Sequence, residues 1–214
     1  MTAPDPDLPL LLIVEGENDI HFLNAMSKML HRDHPHLPDI VQLISQRRVV
    51  FLPTGGSNFK EWLARVLALH KRAAFLVDRE KEPETSARQK FVETVKLLPG
   101  CFAVMTRKRV LENYLHPSAI LEACGIELRF DDDADVSGLL ALKLMTRTGV
   151  TAWHKMSCKR QRRLHAKAKK ILNIKAAQRM TQALLAEQDP HGEVAGWLQT
   201  IRRMMEKPSS PADY

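Results

Sequence analysis

Four short apolar segments alternate with longer stretches in which apolar residues recur at helical spacing, up to about residue 116. An apolar run of about four to eight residues fits a strand that is buried on both faces. Spacings of three and four residues predict helices between these strands. The pattern therefore predicts an α/β fold, with a parallel four-stranded sheet and helices on both of its faces. The predicted strands are Leu8–Val14, Val49–Leu52, Ala73–Val77 and Cys101–Met105.

Beyond residue 116 the apolar pattern is helical only, after a last helix-like stretch at Arg107–Leu115. We therefore divide the chain into an α/β domain over residues 8–116 and a C-terminal helical extension over residues 117–206 that packs on it. Residues 1–7 and 207–214 are polar and contain prolines, so they are predicted to be flexible tails. The helices predicted for the extension are Pro117–Cys124, Val136–Met145, Cys158–Asn173, Ala176–Glu187 and Glu193–Met205.

Basic residues are concentrated in the helical extension. The formal net charge is +7, yet the 51 residues from Val136 to Ala186 hold twelve Lys or Arg and no Asp or Glu. The remainder is mildly acidic, and this asymmetry favours a polyanion such as nucleic acid as partner. The alternative is a basic helix face that is merely solvated. The residues predicted to contact nucleic acid are Lys159, Arg160, Arg162, Arg163, Lys167, Lys169 and Lys170.

The cysteines and the length of the apolar runs indicate the compartment. Cys101, Cys124 and Cys158 are widely spaced, which is typical of reduced thiols and not of disulfides or thiolate zinc sites. The chain begins with acidic residues and prolines, so no secretory leader is predicted. The longest apolar run, Leu8–Val14, is too short to cross a bilayer. The sequence therefore predicts a cytoplasmic protein without a membrane partner.

Polar residues follow three of the four predicted strands. Glu15 follows the first, the turn Thr54–Ser57 the second, and Asp78-Arg79-Glu80 the third. Ligands of an open parallel sheet bind outside the carboxyl ends of its strands, so these residues should meet at one edge. Clustered carboxylates need a cation, and their hard oxygen atoms select Mg²⁺ or Mn²⁺. The structural alternative is that such acids only cap turns or helices, and Asp19 also fits an acid favoured by a helix dipole.

The segment Leu12-Ile13-Val14-Glu15-Gly16-Glu17-Asn18-Asp19 resembles the first motif of the TOPRIM domain. That metal-binding fold is shared by topoisomerases, primases, small RNA-maturing nucleases and the OLD (overcoming lysogenisation defect) nucleases. Ala74-Phe75-Leu76-Val77-Asp78-Arg79-Glu80 occupies the place of the family's Asp-x-Asp motif, with Glu80 where the family usually has aspartate. The resemblance implies that one or two Mg²⁺ or Mn²⁺ ions are held by Glu15, Asp19, Asp78 and Glu80.

Two further segments are similar to the OLD-type branch of that family. Thr106–Leu115, with the sequence TRKRVLENYL, is similar to the basic-x-x-x-Glu-Asn-Tyr-Leu segment after the last strand. The resemblance implies that Lys108 or Arg107, together with Glu112, completes the active site. Asp189–Glu193 and the following Trp-Leu pair resemble the closing segment of the branch. No ATPase module precedes the domain, in contrast to full-length OLD proteins, so a free-standing TOPRIM protein is expected.

These resemblances imply a metal-dependent nuclease that hydrolyses phosphodiester bonds in DNA or RNA. In a two-metal site, ions about 3.5–4 Å apart bind the attacking and leaving oxygens. Glu15 is expected to be a metal ligand or the base for the attacking water, and Lys108 to stabilise charge on the phosphate. The turn after the second strand offers backbone N–H groups to a phosphate. Its expected phosphate-binding residues are Gly55, Gly56 and Ser57.

Two other functions remain open from the sequence. One is a TOPRIM-like module, weakened in catalysis by Glu80, that binds nucleic acid with a separately encoded ATPase or as a homo-oligomer. The other is a primase-like nucleotidyl transferase, which the lack of a zinc-binding domain or a recognisable nucleotide pocket disfavours. Strand passage of the topoisomerase kind is not expected, because Tyr114 and Tyr214 are the only tyrosines and neither is placed for a covalent link.

Overall fold

The computed structural model describes residues 8–56, 58–69, 72–147 and 153–206. Its sheet has four parallel strands in the order β2-β1-β3-β4, so the first strand lies inside the sheet. The predicted α/β fold with a helical C-terminal part is confirmed. The strands are β1 (Leu10–Val14), β2 (Val49–Pro53), β3 (Ala73–Val77) and β4 (Cys101–Met105).

Helices cover both faces of the sheet. They are α1 (Glu17–Asp33), α2 (Ile40–Ser45), α3 (Phe59–Ala68), α4 (Glu84–Lys96), α5 (Pro117–Cys124), α6 (Val136–Thr146), α7 (Cys158–Lys170), α8 (Gln182–Gln188) and α9 (Glu193–Glu206). Successive side chains of a strand point to opposite faces of the sheet, so alternate residues belong to two separate apolar clusters. Ile13 and Phe75 pack with α3 and α4 on one face, whereas Leu12 and Ala74 pack with α1 and the C-terminal helices on the other.

Two local predictions were wrong. The helix-like stretch Arg107–Leu115 is a loop that contains one short 3-10 turn, Leu111–Tyr114. Helix α2 was not predicted, and it begins because the Asp39 carboxylate accepts hydrogen bonds from the N–H groups of Val41 and Gln42. A side-chain cap of this kind supplies partners for amides that a helix leaves unpaired at its first turn.

The C-terminal helices are interrupted after Lys170, close to the junction of the predicted helices Cys158–Asn173 and Ala176–Glu187. The α-helix ends at Lys170 and is followed by a π-helical segment, Ile171–Ala176, and a 3-10 turn. The predicted helix Ala176–Glu187 is therefore wrong at its start, because α8 begins only at Gln182. The Asn173 amide donates to the Lys169 carbonyl oxygen at 3.1 Å, and side chains that compete for backbone acceptors loosen a helix.

The apolar core is continuous across residue 116. Leu12 and Val14 of the sheet share one cluster of buried residues with Ile120, Leu140 and Leu198 of the C-terminal helices. The division of the chain at residue 116 stays a prediction. No helix within the described ranges is long and apolar enough to cross a membrane.

Candidate active site

The first strand ends in a turn that places two acidic side chains at the sheet edge. Glu15 directly follows β1, and Asp19 lies in the first turn of α1, where its Oδ2 accepts a hydrogen bond from the Gly16 N–H at 2.9 Å. The Glu15 carbonyl oxygen accepts hydrogen bonds from the Gly55 and Gly56 N–H groups at 3.1 and 3.3 Å. The turn after β2 is thereby fastened against the end of β1.

The third strand contributes Asp78 to the same edge. Its Oδ1 accepts a hydrogen bond from the Leu111 N–H at 3.1 Å, which holds the 3-10 turn after β4 against the end of β3. That turn carries Glu112, which is 4% exposed. The Glu112 Oε1 accepts a hydrogen bond from the Asn173 Nδ2 at 2.8 Å. The π-helical segment is therefore bonded directly to the acidic residues at the sheet edge.

Glu15, Asp19, Asp78 and Glu112 form one electrostatic group, the acidic cluster. Burial raises the pKa of Asp78 well above its usual range, and the negative charges of the other three members raise it further. Burial and then the Glu112 carboxylate raise the pKa of Asp19 to about 7. Burial also raises the pKa of Glu15, although the Arg88 guanidinium opposes the change. These shifts mean that the cluster takes up protons more readily than exposed carboxyls do, because its charged forms are poorly solvated and repel one another.

Arg88 and Lys169 bring positive charge to the acidic cluster. Arg88 comes from α4, is 7% exposed, and pairs with the Glu15 Oε1 at 2.5 Å while also donating to the Asp78 carbonyl oxygen. Lys169 comes from the end of α7, and the carboxylate of Glu112 raises its pKa, with smaller contributions from the rest of the cluster. The sequence did not single out Arg88, and it placed Lys169 only among residues of a nucleic-acid surface.

The predicted catalytic lysine lies at the rim of the site. The Lys108 ammonium forms an ion pair with Asp132 and lies 5.5 Å from the centre of the Tyr114 ring. Glu80 is also at the rim, because its Oε2 pairs with the Arg109 Nε at 3.2 Å, and its charge still raises the pKa of Glu15. The structure thus brings Lys169 into electrostatic contact with the acidic cluster, whereas the catalytic role of Lys108 stays a prediction.

The segment before α9 supports this rim. The Asp189 carboxylate caps α9 by accepting hydrogen bonds from the Glu193 and Val194 N–H groups at 3.0 and 2.9 Å. Glu193 in turn accepts a hydrogen bond from the Tyr114 hydroxyl. The buried position and the nearby Glu193 charge raise the pKa of Tyr114, so its hydroxyl stays a donor. The Asp-Pro-His-Gly-Glu turn therefore holds in place the loop after β4 that carries Lys108 and Glu112.

The turn that was predicted to bind phosphate lies beside the acidic cluster. Gly55 and Gly56 both have a positive φ, +72° and +132°, which a residue with a Cβ rarely adopts. Their N–H groups already donate to Glu15, so a phosphate would have to compete for them. Ser57 lies outside the described residues. The role of this turn in phosphate binding stays a prediction.

The basic residues of α7 form an exposed surface that ends at the acidic cluster. Leu164 and Ala168 turn toward the core, whereas the predicted nucleic-acid contacts from Lys159 to Lys170 are exposed. In the part of the chain that the structure describes, no acidic side chain lies within ion-pair distance of these residues. From Lys159 to Lys169 the helix rises about 15 Å. The phosphate backbone of a nucleic acid lying along α7 would therefore extend to the acidic cluster.

The acidic cluster has the donor chemistry of a magnesium or manganese site, but one oxygen of each carboxylate is already engaged with another partner. Glu15 faces Arg88, Asp19 faces the Gly16 N–H, and Glu112 faces Asn173. Within the described ranges no three His, Cys, Asp or Glu side chains converge as ligands of one ion. Buried carboxylates with raised pKa values nonetheless fit a hard divalent cation, because such an ion supplies the positive charge that the cluster lacks.

Comparison with known proteins places the fold. No protein-family model matches the chain, and no curated protein sequence matches it. Two solved structures of the C-terminal region of the Xanthomonas campestris pv. campestris OLD protein are similar. The one phased with mercury is 15% identical, has a TM-score of 0.50 and covers 93% of this chain and 97% of that chain. The one phased with platinum is 14% identical, with a TM-score of 0.48, and covers 92% and 94%. The chain therefore shares the fold of that region.

Proposed function

From the fold shared with the C-terminal region of the OLD protein, we propose that this chain is a TOPRIM-type nuclease. It would hydrolyse phosphodiester bonds in DNA or RNA with Mg²⁺ or Mn²⁺. The observation that carries the proposal is the acidic cluster at the ends of β1 and β3, next to the exposed basic surface of α7. One or two bound divalent metal ions would account for the buried carboxylates, and a polyanionic partner would account for the basic helix.

The residues that would hold metal are Glu15, Asp19 and Asp78, with Glu80 and Glu112 as further oxygen donors at the margin. Bound Mg²⁺ or Mn²⁺ would lower the pKa of a water and neutralise charge on the phosphate. Glu15 would have to exchange its contact with Arg88 for this role, and Arg88 would then be free to bind a phosphate oxygen. Lys169 would bind the phosphate that enters along α7, and Lys108 would bind a neighbouring phosphate once released from Asp132.

Purified protein incubated with plasmid, single-stranded DNA, tRNA and rRNA in Mg²⁺ or Mn²⁺ tests the function directly. We expect cleavage that EDTA stops and that Glu15→Gln abolishes. The amide keeps the size of the side chain but is a much poorer metal ligand and no base. Cleavage that persists in the Glu15→Gln protein, or in EDTA, would show that the acidic cluster is not the active site.

A binding module without catalysis is the second candidate, because Glu80 is paired with Arg109 and the carboxylates do not converge within the described residues. Such a module would act with a separate ATPase or as a homo-oligomer. If this second candidate is correct, the protein should bind nucleic acid but cleave none of the four substrates named above. The Glu80→Asp variant distinguishes the two candidates: it restores the aspartate usual in the family and should increase turnover if the site is catalytic.

The stability of the metal-free protein should fall as the pH rises from about 4 to about 7. The folded pKa of Asp19, about 7, exceeds its ordinary value of 3.8, so the folded state binds a proton more tightly than the unfolded state. Ionising Asp19 in the folded protein therefore costs about 4 kcal/mol, which is fully present only above pH 7. Thermal unfolding in EDTA across this range should show the loss.

The Asp19→Asn variant is the control for this titration. It should be less sensitive to pH than the wild type in EDTA, because the group responsible is gone. Mg²⁺ should raise the unfolding temperature of the wild type more at pH 8 than at pH 5, since the ion competes with protons for the carboxylates. Parallel pH profiles for the two proteins would contradict the burial of a titrating Asp19.

Neutralising part of the basic surface of α7 should weaken nucleic-acid binding in a salt-dependent way. For Arg162→Ala with Arg163→Ala we expect about a tenfold loss of affinity at moderate salt and a salt slope smaller by about 2. A matched control is Lys90→Ala with Lys96→Ala, two exposed lysines of α4 on the other side of the sheet. Equal losses in both double variants would show that binding follows total charge and not the α7 surface.

A further inference from the structure

A groove of about 710 Å³ lies along α1, between the start of α2 and the segment Ile171–Met180. Its volume falls within the range of about 300–1,000 Å³ that is usual for ligand sites. One wall includes Asn173, whose amide donates to Glu112 of the acidic cluster. His21, also in the wall, lies two residues after Asp19. The groove thus begins beside the acidic cluster and leads away from it.

The walls of this groove, which we call the α1 groove, are basic. His21, Lys28 and Arg32 occupy one face of α1 and line it. His31 also lines it, and its ring is held by a hydrogen bond between Nδ1 and the Leu37 carbonyl oxygen at 2.6 Å. Asp39 is the one carboxylate in the described lining, and it is already engaged as the cap of α2. The groove therefore suits an anionic ligand.

Two amide oxygens in the lining lack hydrogen-bond partners. The Oδ1 atoms of Asn24 and Asn173 are buried and accept no hydrogen bond within the described structure. Asn173 is 1% exposed, and its Nδ2 is already committed to Glu112 and to the Lys169 carbonyl oxygen. Buried polar atoms of folded proteins nearly always have partners. A donor in the groove could bond to either oxygen only after a small rotation of the amide, because neither atom is accessible as the side chains stand.

We infer that the α1 groove binds an unpaired stretch of the nucleic-acid substrate, with bases against the groove walls and phosphates at Lys28 and Arg32. The inference rests on the proposed function for the identity of the ligand. Imidazole and guanidinium planes stack on bases, amide oxygens accept from base amino groups, and base edges are fully accessible only in unpaired strands. A duplex along α7 with an unpaired end in the α1 groove would pass across the acidic cluster.

Fluorescence anisotropy in EDTA tests the groove without any need for catalysis. The probes are a blunt duplex and the same duplex with an unpaired tail. The wild type should bind the tailed duplex about tenfold more tightly, because the tail adds phosphate and base contacts. Lys28→Glu with Arg32→Glu should remove this preference and leave the affinity for the blunt duplex within about twofold. Lys28 and Arg32 are exposed, so the fold should tolerate the change.

Lys90→Glu with Lys96→Glu is the control, since it makes the same change of charge on the opposite side of the sheet. It should leave the affinity for both probes within about twofold and keep the preference for the tail. A second variant, Asn24→Leu, removes an unpaired acceptor without changing charge and should reduce the preference for the tailed duplex. Equal binding of tailed and blunt duplexes by the wild type would overturn the inference, as would a tail preference that survives Lys28→Glu with Arg32→Glu.

These outcomes separate the groove from the nuclease activity. A tail preference that depends on Lys28 and Arg32, in a protein that cleaves nothing in Mg²⁺ or Mn²⁺, would support the groove and reject the proposed function. Metal-dependent cleavage by a protein that has no tail preference would support the proposed function and reject the groove.

Discussion

Replacing Asp78 by asparagine is expected to abolish cleavage and, at the same time, to make the metal-free protein harder to unfold. The new amide side chain can still accept the hydrogen bond from the Leu111 N–H through its oxygen, so the turn that carries Glu112 should stay in place. The buried negative charge is removed, and with it the repulsion from Asp19, Glu15 and Glu112 that raises the pKa of Asp78. Functional groups of an active site commonly carry such a cost in stability.

We expect the cleavage rate of Asp78→Asn to fall at least about a thousandfold. Removing one preorganised group from an active site commonly reduces the rate on that scale. In EDTA at pH 8 the unfolding temperature should rise by about 3 °C for each kcal/mol gained. Mg²⁺ should stabilise the wild type and leave Asp78→Asn unchanged. Glu93→Gln, an exposed acid-to-amide change on α4, should alter neither property. A lower unfolding temperature in EDTA would refute the role of Asp78 as a buried uncompensated charge.

Replacing Lys169 by methionine should reduce the cleavage rate about a hundredfold while reducing nucleic-acid affinity only a few-fold. Lys169 is the cation whose pKa responds to every member of the acidic cluster, so its charge acts where phosphate would meet metal. Methionine keeps most of the aliphatic stem and removes the charge. Removing one preorganised cation or donor from a developing anion typically costs a factor of about 10²–10³.

Lys170→Met is the matched control, because it is the next residue on α7 and is also exposed. Its cleavage rate at saturating substrate should remain within about threefold of the wild type, since its charge contributes only to binding. Single-turnover cleavage and anisotropy should be measured for both variants. If the two lysines prove equivalent in both assays, Lys169 is one phosphate contact among several and has no special place at the acidic cluster.

The strands and the acidic residues that follow them could be predicted because both depend on short stretches of chain. An apolar run such as Ala73–Val77 is buried on both faces wherever it lies in a parallel sheet, and Asp78 follows it directly. The parallel arrangement then brings the ends of β1 and β3 to one edge. The fold and the position of Glu15, Asp19 and Asp78 along one edge of the sheet were therefore within reach of the sequence.

The partners of these acids could not be predicted, because they come from distant parts of the chain. Arg88 lies in a polar stretch of α4, and nothing in that stretch indicates that it is buried. It nonetheless forms an ion pair with Glu15, which lies 73 residues earlier in the chain. Lys169 differs from Lys167 and Lys170 only in its angle around α7. Lys108 was assigned to the active site from its motif, whereas its ion pair with Asp132 depends on a loop that the sequence left unassigned. The direction of each helix and the path of each loop decide which distant residues come into contact. The spacing of residues along the sequence does not reveal these contacts.

Arg72 joins the two ends of the described chain. It is 5% exposed, and its guanidinium donates to the Met204 carbonyl oxygen at 2.7 Å and to the Leu8 carbonyl oxygen at 3.1 Å. During synthesis the α9 half of this contact, like Lys169, arrives only after the sheet strands have left the ribosome. Contacts this distant in sequence form slowly. We therefore expect the nascent α/β part to expose one apolar sheet face and an uncompensated acidic cluster until the residues up to α9 have emerged from the ribosome.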